Sequence, residues 1–426
     1  MELTRVLGPG QLFFYSVGVI IGAGVYSVIG VAAGLAGEGL WISFLIGAVA
    51  ALLTGLSYAE MATAFPAAGA EYVYVRQAFP ALRPAPFFIG FIILIGGAAT
   101  ATTVALAFGG YLKTFLEIPE WLSAAVLLAA CTGFNVLGLR ESSWANILFT
   151  LVEIGGLLLV IAAGLTRDDF GQQLFVPLSS NVVGAAAVLF FVYLGFEEIA
   201  NLAEEVRNPG RDIPRAIFFS LAMTTLLYVL VAVAVAALVS SKELAGSEAP
   251  LALAIGKVWP QAAGVLSGIA LFATANTVLI TMIATSRVAF AMGRDGEMPR
   301  AFARLLPGRE TPWIAAIAVF LAASLLIPFD NLGFLAGLSS FAALLAFVAV
   351  NLALIVLRYR MPDHSRPFRV PLAVGKLPVV PLLAIAALGT LLVHFEKEIY
   401  VAGAVAFLLA AMALAVHRAT TKGGSR

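Results

Sequence analysis

Charged residues are scarce in this sequence. Asp, Glu, Lys and Arg make up 12% of the 426 residues, whereas hydrophobic residues make up 61%. Soluble domains carry roughly 25% charged residues, so this composition excludes a soluble globular protein and predicts an integral membrane protein. The net charge of +1 gives no indication of a nucleic-acid partner, and we predict the lipid bilayer and a small molecule as the partners.

Cysteine and histidine are also rare. The single cysteine, Cys131, excludes an intrachain disulfide and lies in an apolar segment. The three histidines are too scattered along the chain to form a metal site or a nucleophile relay. We therefore predict no metal, no cofactor and no enzyme activity. The sequence also contains no pore-loop filter, which disfavours an ion channel.

Apolar runs of membrane-spanning length are abundant, and charges, prolines and glycines divide them. No long hydrophilic stretch remains for a soluble domain, so we predict an all-α membrane protein with a single transmembrane domain over residues 1–426. The first run is too long for the apolar core of a signal peptide, and we expect it to be retained. The predicted twelve transmembrane helices are 11–36, 39–64, 87–115, 121–138, 143–165, 181–205, 214–240, 259–292, 312–328, 331–358, 376–395 and 399–417.

The distribution of Lys and Arg predicts the orientation. With twelve spans, 19 of the 25 basic residues fall in the tails and loops on the side of the N-terminus. Five fall in the opposite loops, and Arg287 lies within the eighth span. Because basic residues concentrate on the cytoplasmic side, both termini are predicted to be cytoplasmic in the cell membrane.

Two of the predicted spans carry glycine near their middle. Gly22 and Gly24 interrupt the first span, and Gly195 interrupts the sixth, just before Glu197 and Glu198. Glycine lowers helix propensity, and backbone that unwinds inside a membrane must be buried in protein or line a polar cavity. Glycine also permits close helix packing, which is the alternative interpretation of each position taken alone. Breaks at corresponding positions of two halves indicate a transporter with a binding site at mid-membrane.

Four motifs give the chain a resemblance to the amino acid–polyamine–organocation (APC) superfamily of secondary transporters. They are GVIIGAGVY (18–26), FPAAGAEYVY (65–74), GFEEIANLAEEVRNP (195–209, continuing to residue 217) and SRVAFAMGRDGEMP (286–299). The resemblance implies a five-plus-five inverted-repeat core with broken helices 1 and 6. The first repeat would cover 1–165 (helices 1–5) and the second 181–360 (helices 6–10), with helices 11 and 12 added over 376–417. It also implies transport of an amino acid or related amine by alternating access.

The broken helices would bind such a substrate through their main chain. Amides and the positive dipole end at the start of a half-helix attract a carboxylate, and carbonyls at the end of a half-helix accept hydrogen bonds from an ammonium group. Phe191 occupies the position at which members of the superfamily place an aromatic gate, although an aromatic residue in a membrane helix is also ordinary packing. The predicted substrate-binding residues are Ile20, Ile21, Gly22, Ala23, Gly24, Val25, Phe190, Phe191, Tyr193, Leu194, Gly195 and Phe196.

Glu153 is a carboxylate in the middle of the fifth predicted span, with no other charge within ten residues. Many members of the superfamily carry a lysine here, so their lysine-based coupling is not implied. Three interpretations remain open: proton coupling, cation binding, or a permanently protonated structural group. Glu197 is a second candidate for the proton switch. The predicted residues of the cavity or of a cation site are Ala98, Asn276, Thr277, Ser339 and Ser340.

The sequence thus favours a proton-coupled secondary active transporter of an amino acid or related amine. A proton gradient is the expected driving force, with sodium as the less favoured one. Two alternatives stay open. One is an exchanger without ion coupling, or a carrier of amines that lack a carboxylate, and the other is an amino acid sensor that does not transport. The short tails, residues 1–10 and 418–426, disfavour the sensor.

Overall fold

The computed structural model describes residues 7–66, 70–82, 84–138, 143–175, 181–203 and 205–423. This part of the chain is nearly all helical. In chain order the α-helices are α1 (Pro9–Ile21), α2 (Gly24–Ala36), α3 (Leu40–Ala64), α4 (Ala70–Ala78), α5 (Ala85–Leu112), α6 (Glu120–Leu137), α7 (Ser143–Gly164), α8 (Val182–Leu189), α9 (Glu198–Asn201), α10 (Pro209–Leu238), α11 (Ser241–Ala245), α12 (Pro250–Gly256), α13 (Pro260–Arg294), α14 (Trp313–Leu326), α15 (Leu332–Arg360), α16 (Val379–Leu392) and α17 (Lys397–Gly423). Short 3-10 segments follow several of them, at Gly37–Gly39, Phe170–Phe175, Phe190–Tyr193, Arg300–Ala303 and Ile327–Phe329.

Every predicted span overlaps a helix of the structure. Within the described residues, nine helical segments are long and apolar enough to cross a membrane, and three more apolar helices are shorter. One of the nine, Gly24–Ala64, joins the second half of the first predicted span to the whole of the second through a 3-10 turn. The helical fold and the membrane class therefore agree with the prediction.

The outer surface of the bundle is apolar. Large hydrophobic side chains in the middle of several helices are more than half exposed. This is expected of a surface that contacts lipid chains rather than water. Examples are Val49 in α3, Val126 in α6, Leu226 in α10, Leu321 in α14 and Leu408 in α17. The interior is built around α5, which packs along both α13 and α15.

One end of the bundle, called the terminal end below, gathers the starts of α1 and α10. Leu7 forms a parallel bridge with Val206, in which the Leu7 amide donates to the Glu205 carbonyl at 3.0 Å. The loop after α15 reaches the same place, because Pro367 lies directly against Gly210 at the start of α10. Segments that are distant in sequence therefore meet at this end.

A buried carboxylate fixes the loop after α15 to α3. Glu60 is fully buried and accepts hydrogen bonds from Arg358 Nε at 2.9 Å, from Arg366 Nη1 at 3.3 Å and from the Val370 amide at 2.7 Å. This satisfies a charge that would otherwise be very costly to bury. The loop also contains a β-hairpin, β1 (Ala373–Val374) and β2 (Leu377–Pro378), which corrects the all-α prediction. The two strands are too short for an alternating pattern to reveal them.

Helix α4 lies within the protein rather than only on its surface. The sequence predicts an amphipathic helix lying at the membrane surface after Gly69, and the structure has one at Ala70–Ala78. However, Tyr74 is fully buried, with its ring 6.4 Å from that of Tyr58 in α3. Neighbouring helices therefore bury the apolar face of α4, which the prediction places against lipid.

Candidate functional site

The first apolar segment is broken where the sequence predicts it. Helix α1 ends at Ile21 and α2 begins at Gly24, and Gly22 between them has φ +31°. The Ala23 amide donates to Thr277 Oγ1 on α13 at 2.9 Å. Thr277 therefore lies at this break and satisfies one of the amides that the start of α2 leaves without an intrahelical partner.

The second break follows α8. The chain passes through the 3-10 segment Phe190–Tyr193, becomes extended at Leu194 and adopts φ +117° at Gly195 before α9 begins at Glu198. The Glu197 carboxylate accepts the Gly195 amide at 2.8 Å. Glu197 therefore stabilises the conformation of the break. This structural role is additional to the proton transfer that the sequence suggests for it.

The two breaks lie against each other. A Cβ atom on Gly24 would lie 3.0 Å from Val192 Cα, and one on Gly195 would lie 2.8 Å from the Val19 carbonyl oxygen. No real side chain fits at the second distance, and φ +117° is itself a conformation that other residues rarely adopt. Glycine at these two positions allows the main chains of the two breaks to contact each other. The same glycines therefore interrupt the helices and permit their close packing.

Tyr228 of α10 joins the two breaks. Its hydroxyl lies 2.9 Å from the Ile20 carbonyl, 3.3 Å from the Ile21 carbonyl and 3.1 Å from the Val192 carbonyl, and it is fully buried. Its single proton is shared among three acceptors, each of which keeps a second lone pair. Tyr228 was not predicted from the sequence, although a tyrosine inside the otherwise apolar run 226–238 was a signal.

The predicted substrate-binding residues form a closed region. All are buried except Leu194, which is half-buried. Several of their side chains pack outward from the breaks: Tyr193 donates to the Phe44 carbonyl on α3 at 2.9 Å, and the rings of Phe190 and Phe196 both pack on Phe347 of α15. The main chain of the breaks, rather than these side chains, is therefore the part left to meet a ligand.

The five residues predicted for the cavity or a cation site lie in different surroundings. Ser340 donates to the Val188 carbonyl beside the second break at 3.2 Å, whereas Ser339 bonds to Thr100 on α5. The Ala98 carbonyl accepts from Thr102. Asn276, next to Thr277 at the first break, has a buried Oδ1 that finds no hydrogen-bond partner in the described part of the chain. Of the five, Thr277, Asn276 and Ser340 are thus the ones placed beside the broken helices.

Glu153 lies beside the tyrosines that hold the breaks. It is 1% exposed on α7, and its own main-chain carbonyl accepts the Tyr26 hydroxyl at 2.8 Å. Its carboxylate is also near enough to interact electrostatically with both Tyr26 and Tyr228. Tyr26 belongs to the first turns of α2, so a change of charge on Glu153 acts on both broken helices.

A second group of carboxylates lies at the second break. Glu71 of α4 accepts the Tyr58 hydroxyl at 2.9 Å and lies near Glu197 and Glu198. The pKa of Glu71 is raised from an ordinary value of 4.5 to about 7, chiefly by burial and in addition by the nearby Glu198 charge, while hydrogen bonds from the backbone and from Tyr58 oppose the shift. Glu71 therefore titrates near neutral pH.

The stability of the protein should depend on the protonation of Glu71. The folded state binds the Glu71 proton more tightly than the unfolded chain does. The stabilisation that results is complete below pH 4.5 and is lost as the pH rises to about 7. The loss is worth roughly 3 kcal/mol. Melting curves in detergent should show that the melting temperature of the native protein falls more between pH 5 and pH 8 than that of Glu71→Gln. The exposed Glu310→Gln serves as control, and an unchanged pH dependence in Glu71→Gln would refute the assignment.

Comparison with known proteins agrees with this architecture. The family model described as amino acid permease matches residues 7–416, which is nearly the whole chain. The chain belongs to the amino acid permease family of the APC superfamily. The permease is accordingly a membrane transporter and not an enzyme.

Its curated relatives are transporters named for different substrates. The branched-chain amino acid permease BcaP of Bacillus subtilis is 33% identical over 90% of this chain and 86% of its own length. The methylthioribose transporter of the same organism is 31% identical, with coverages of 90% and 87%. The vacuolar cationic amino acid transporter 4 of Arabidopsis thaliana is 32% identical over 85% of this chain and 64% of that protein.

Proposed function

We propose that the permease is a secondary active transporter that moves an amino acid or a related amine across the cell membrane by alternating access, coupled to protons. In this proposal twelve helices span the membrane, and the chain forms a five-plus-five inverted repeat followed by two additional helices. Both termini and the terminal end would face the cytoplasm, in agreement with the excess of Lys and Arg in the tails and loops on that side. Relatives named as amino acid permeases and transporters support the substrate class.

The observation that carries the proposal is the meeting of the two breaks around Tyr228. The start of α2 leaves the amides of Gly24, Val25 and Tyr26 for a substrate carboxylate, because the Ala23 amide already bonds to Thr277. The carbonyls of Ile20 and Val192 can each accept an ammonium proton with the lone pair that Tyr228 does not use. The main chain of the two breaks thus offers both partners that an α-amino acid requires.

Alternating access is the way in which a substrate would reach these buried groups. Because nearly all the predicted binding residues are buried, a substrate can arrive or leave only when α1, α2 or the segment around Phe190–Tyr193 moves. Gly22 and Gly195 supply hinges at which short segments can turn without unwinding a whole helix. Phe191, 4% exposed in this closed form, is proposed to cover the substrate.

Proton coupling is assigned to Glu153. A buried carboxylate is stable in its neutral form in a membrane, and it becomes charged only when water reaches it. Its charge would act on Tyr26 and Tyr228, which hold both breaks, so loading a proton and closing the pocket are linked. Glu197 would serve as the brace of the second break. An exchanger without ion coupling is the alternative, and a sensor would bind the same solute without moving it.

The decisive experiment is uptake into proteoliposomes. Thermal-shift screening first identifies amino acids or amines that bind, and uptake of the labelled hit is then measured with and without an inward proton gradient. Stimulation by the gradient supports the proposal. Uptake that occurs only when the vesicles are preloaded with unlabelled substrate supports exchange. Binding without uptake supports the sensor and contradicts transport.

Removing the Tyr228 hydroxyl should impair transport. Tyr228→Phe keeps the ring but leaves carbonyls of both breaks without their donor, at a cost of about 1–3 kcal/mol, or roughly 5- to 150-fold in uptake rate. The control is Tyr359→Phe, which removes a hydroxyl from a half-exposed ring on α15. Equal initial uptake rates for Tyr228→Phe and the native permease would refute this role of Tyr228.

A further inference from the structure

An amphipathic groove lies on the outside of the bundle between α1 and α10. It encloses about 560 Å³ and starts at the terminal end. Its wall on α10 follows one stripe of the helix, at intervals of three and four residues, and its wall on α1 is Pro9 and Phe13. The residues on α10 are Asp212, Arg215, Ala216, Phe219, Ala222, Met223 and Leu226.

The length and polarity of the groove match one lipid molecule. From Asp212 to Leu226 the stripe is about 20 Å long, at ~1.5 Å per residue. One leaflet contributes half of a ~30 Å hydrocarbon core plus its head-group layer. The deeper part of the groove is apolar, with Leu226 and Phe219 more than half exposed, and the charged residues lie only at its terminal end. An acyl chain therefore fits along the stripe, with the head group at Asp212 and Arg215.

The two charged residues of the groove form no ion pair within the part of the chain that the structure describes. Asp212 is 5% exposed, and its buried Oδ2 atom has no hydrogen-bond partner among the described residues. Arg215 is exposed, and among the residues that the structure describes neither side chain takes part in an ion pair, with each other or with a third group. A buried carboxylate oxygen without a donor is rare in a folded protein.

We propose that this groove binds a phospholipid with a primary ammonium head group, such as phosphatidylethanolamine. The ammonium would donate to Asp212 and the phosphate would pair with Arg215, and an acyl chain would lie against Phe219, Met223 and Leu226. Both charges of the zwitterionic head group are thereby matched. A choline head group cannot donate a hydrogen bond to Asp212, and a glycerol head group has no positive charge for it. This lipid site lies on the outer surface and does not depend on the substrate of the transporter.

Native mass spectrometry can test this binding. The detergent-purified permease is titrated with phosphatidylethanolamine, phosphatidylcholine and phosphatidylglycerol of identical acyl chains. We expect the ethanolamine lipid to bind at least about fivefold more tightly than the other two. Asp212→Asn should abolish this preference, whereas Asp363→Asn, at an exposed aspartate in the loop after α15, should retain it.

Two further variants separate head-group recognition from general lipid binding. Arg215→Gln should weaken all three lipids, because each carries the phosphate. Ala222→Trp, at an exposed position in the groove, should block the acyl chain and weaken all three without disturbing the core. Equal binding of the three lipids by the native permease, or an undiminished preference in folded Asp212→Asn, would overturn the proposal. Binding that Ala222→Trp leaves unchanged would place the lipid elsewhere and overturn it as well.

Discussion

Gly195→Ala should reduce uptake on the order of 100-fold. The added methyl group would lie 2.8 Å from the Val19 carbonyl oxygen and from a methyl group of Val19, so the two broken helices would have to separate. Strain at positive φ adds about 1–3 kcal/mol, and the overlap adds a similar amount. About 3 kcal/mol acting against the closed pocket corresponds to two factors of ten in rate. The measurement is initial uptake into proteoliposomes, normalised to folded protein.

Two control substitutions separate the causes of this effect. Gly37→Ala places a side chain at φ +57° in open space. This variant therefore has the strained backbone conformation but no steric overlap with another residue. Gly133→Ala on α6 contains neither, because open space surrounds that position and its φ is not positive. We expect both to transport at rates close to the native permease, because neither position lies at a break and strain at Gly37 would not act on the contact between the broken helices. If Gly195→Ala also did so, the contact between the two breaks would have no part in transport.

Glu153→Gln should abolish the response of uptake to a proton gradient. The amide has the size of the carboxylic acid but cannot be deprotonated, so the variant stays in its uncharged form. One pH unit is worth about 1.4 kcal/mol per proton, which allows roughly tenfold accumulation for a one-to-one coupling. We expect the native permease to accumulate substrate with this gradient, and the variant only to equilibrate it.

The control for this experiment is Glu117→Gln, at an exposed glutamate in the segment between α5 and α6. It should respond to the gradient as the native permease does. Exchange of labelled against unlabelled substrate at equal pH shows whether Glu153→Gln still moves substrate. A variant that exchanges substrate and still accumulates it with the gradient would exclude Glu153 as the coupling group. Glu197 would then become the first candidate.

Much of the fold follows from local sequence. The twelve apolar runs overlap helices because hydrophobicity and length alone determine which segments a membrane accommodates. The breaks were also predicted, because glycine at the middle of an apolar run lowers helix propensity at that point. The boundaries were less exact: α10 begins at Pro209, five residues before the prediction, because proline is favourable in the first turn of a helix.

The partners of the broken helices could not be predicted in the same way. Tyr228 bonds to carbonyls 208 and 36 residues away, and Thr277 bonds to an amide 254 residues away. Such pairs depend on how each helix is rotated about its axis, which apolar periodicity hardly records when both faces are buried. For the same reason Ser339 and Ser340, adjacent in sequence, bond to different helices.

A structure of the permease with a transported amino acid bound tests the central claim most directly. We predict density for the substrate between the two breaks, with its carboxylate within ~3 Å of the amides of Gly24, Val25 or Tyr26. Its ammonium group should lie at a similar distance from the carbonyls of Ile20 and Val192. Substrate density elsewhere, with the breaks closed on each other as they are without it, would contradict the claim that the broken helices form the binding site.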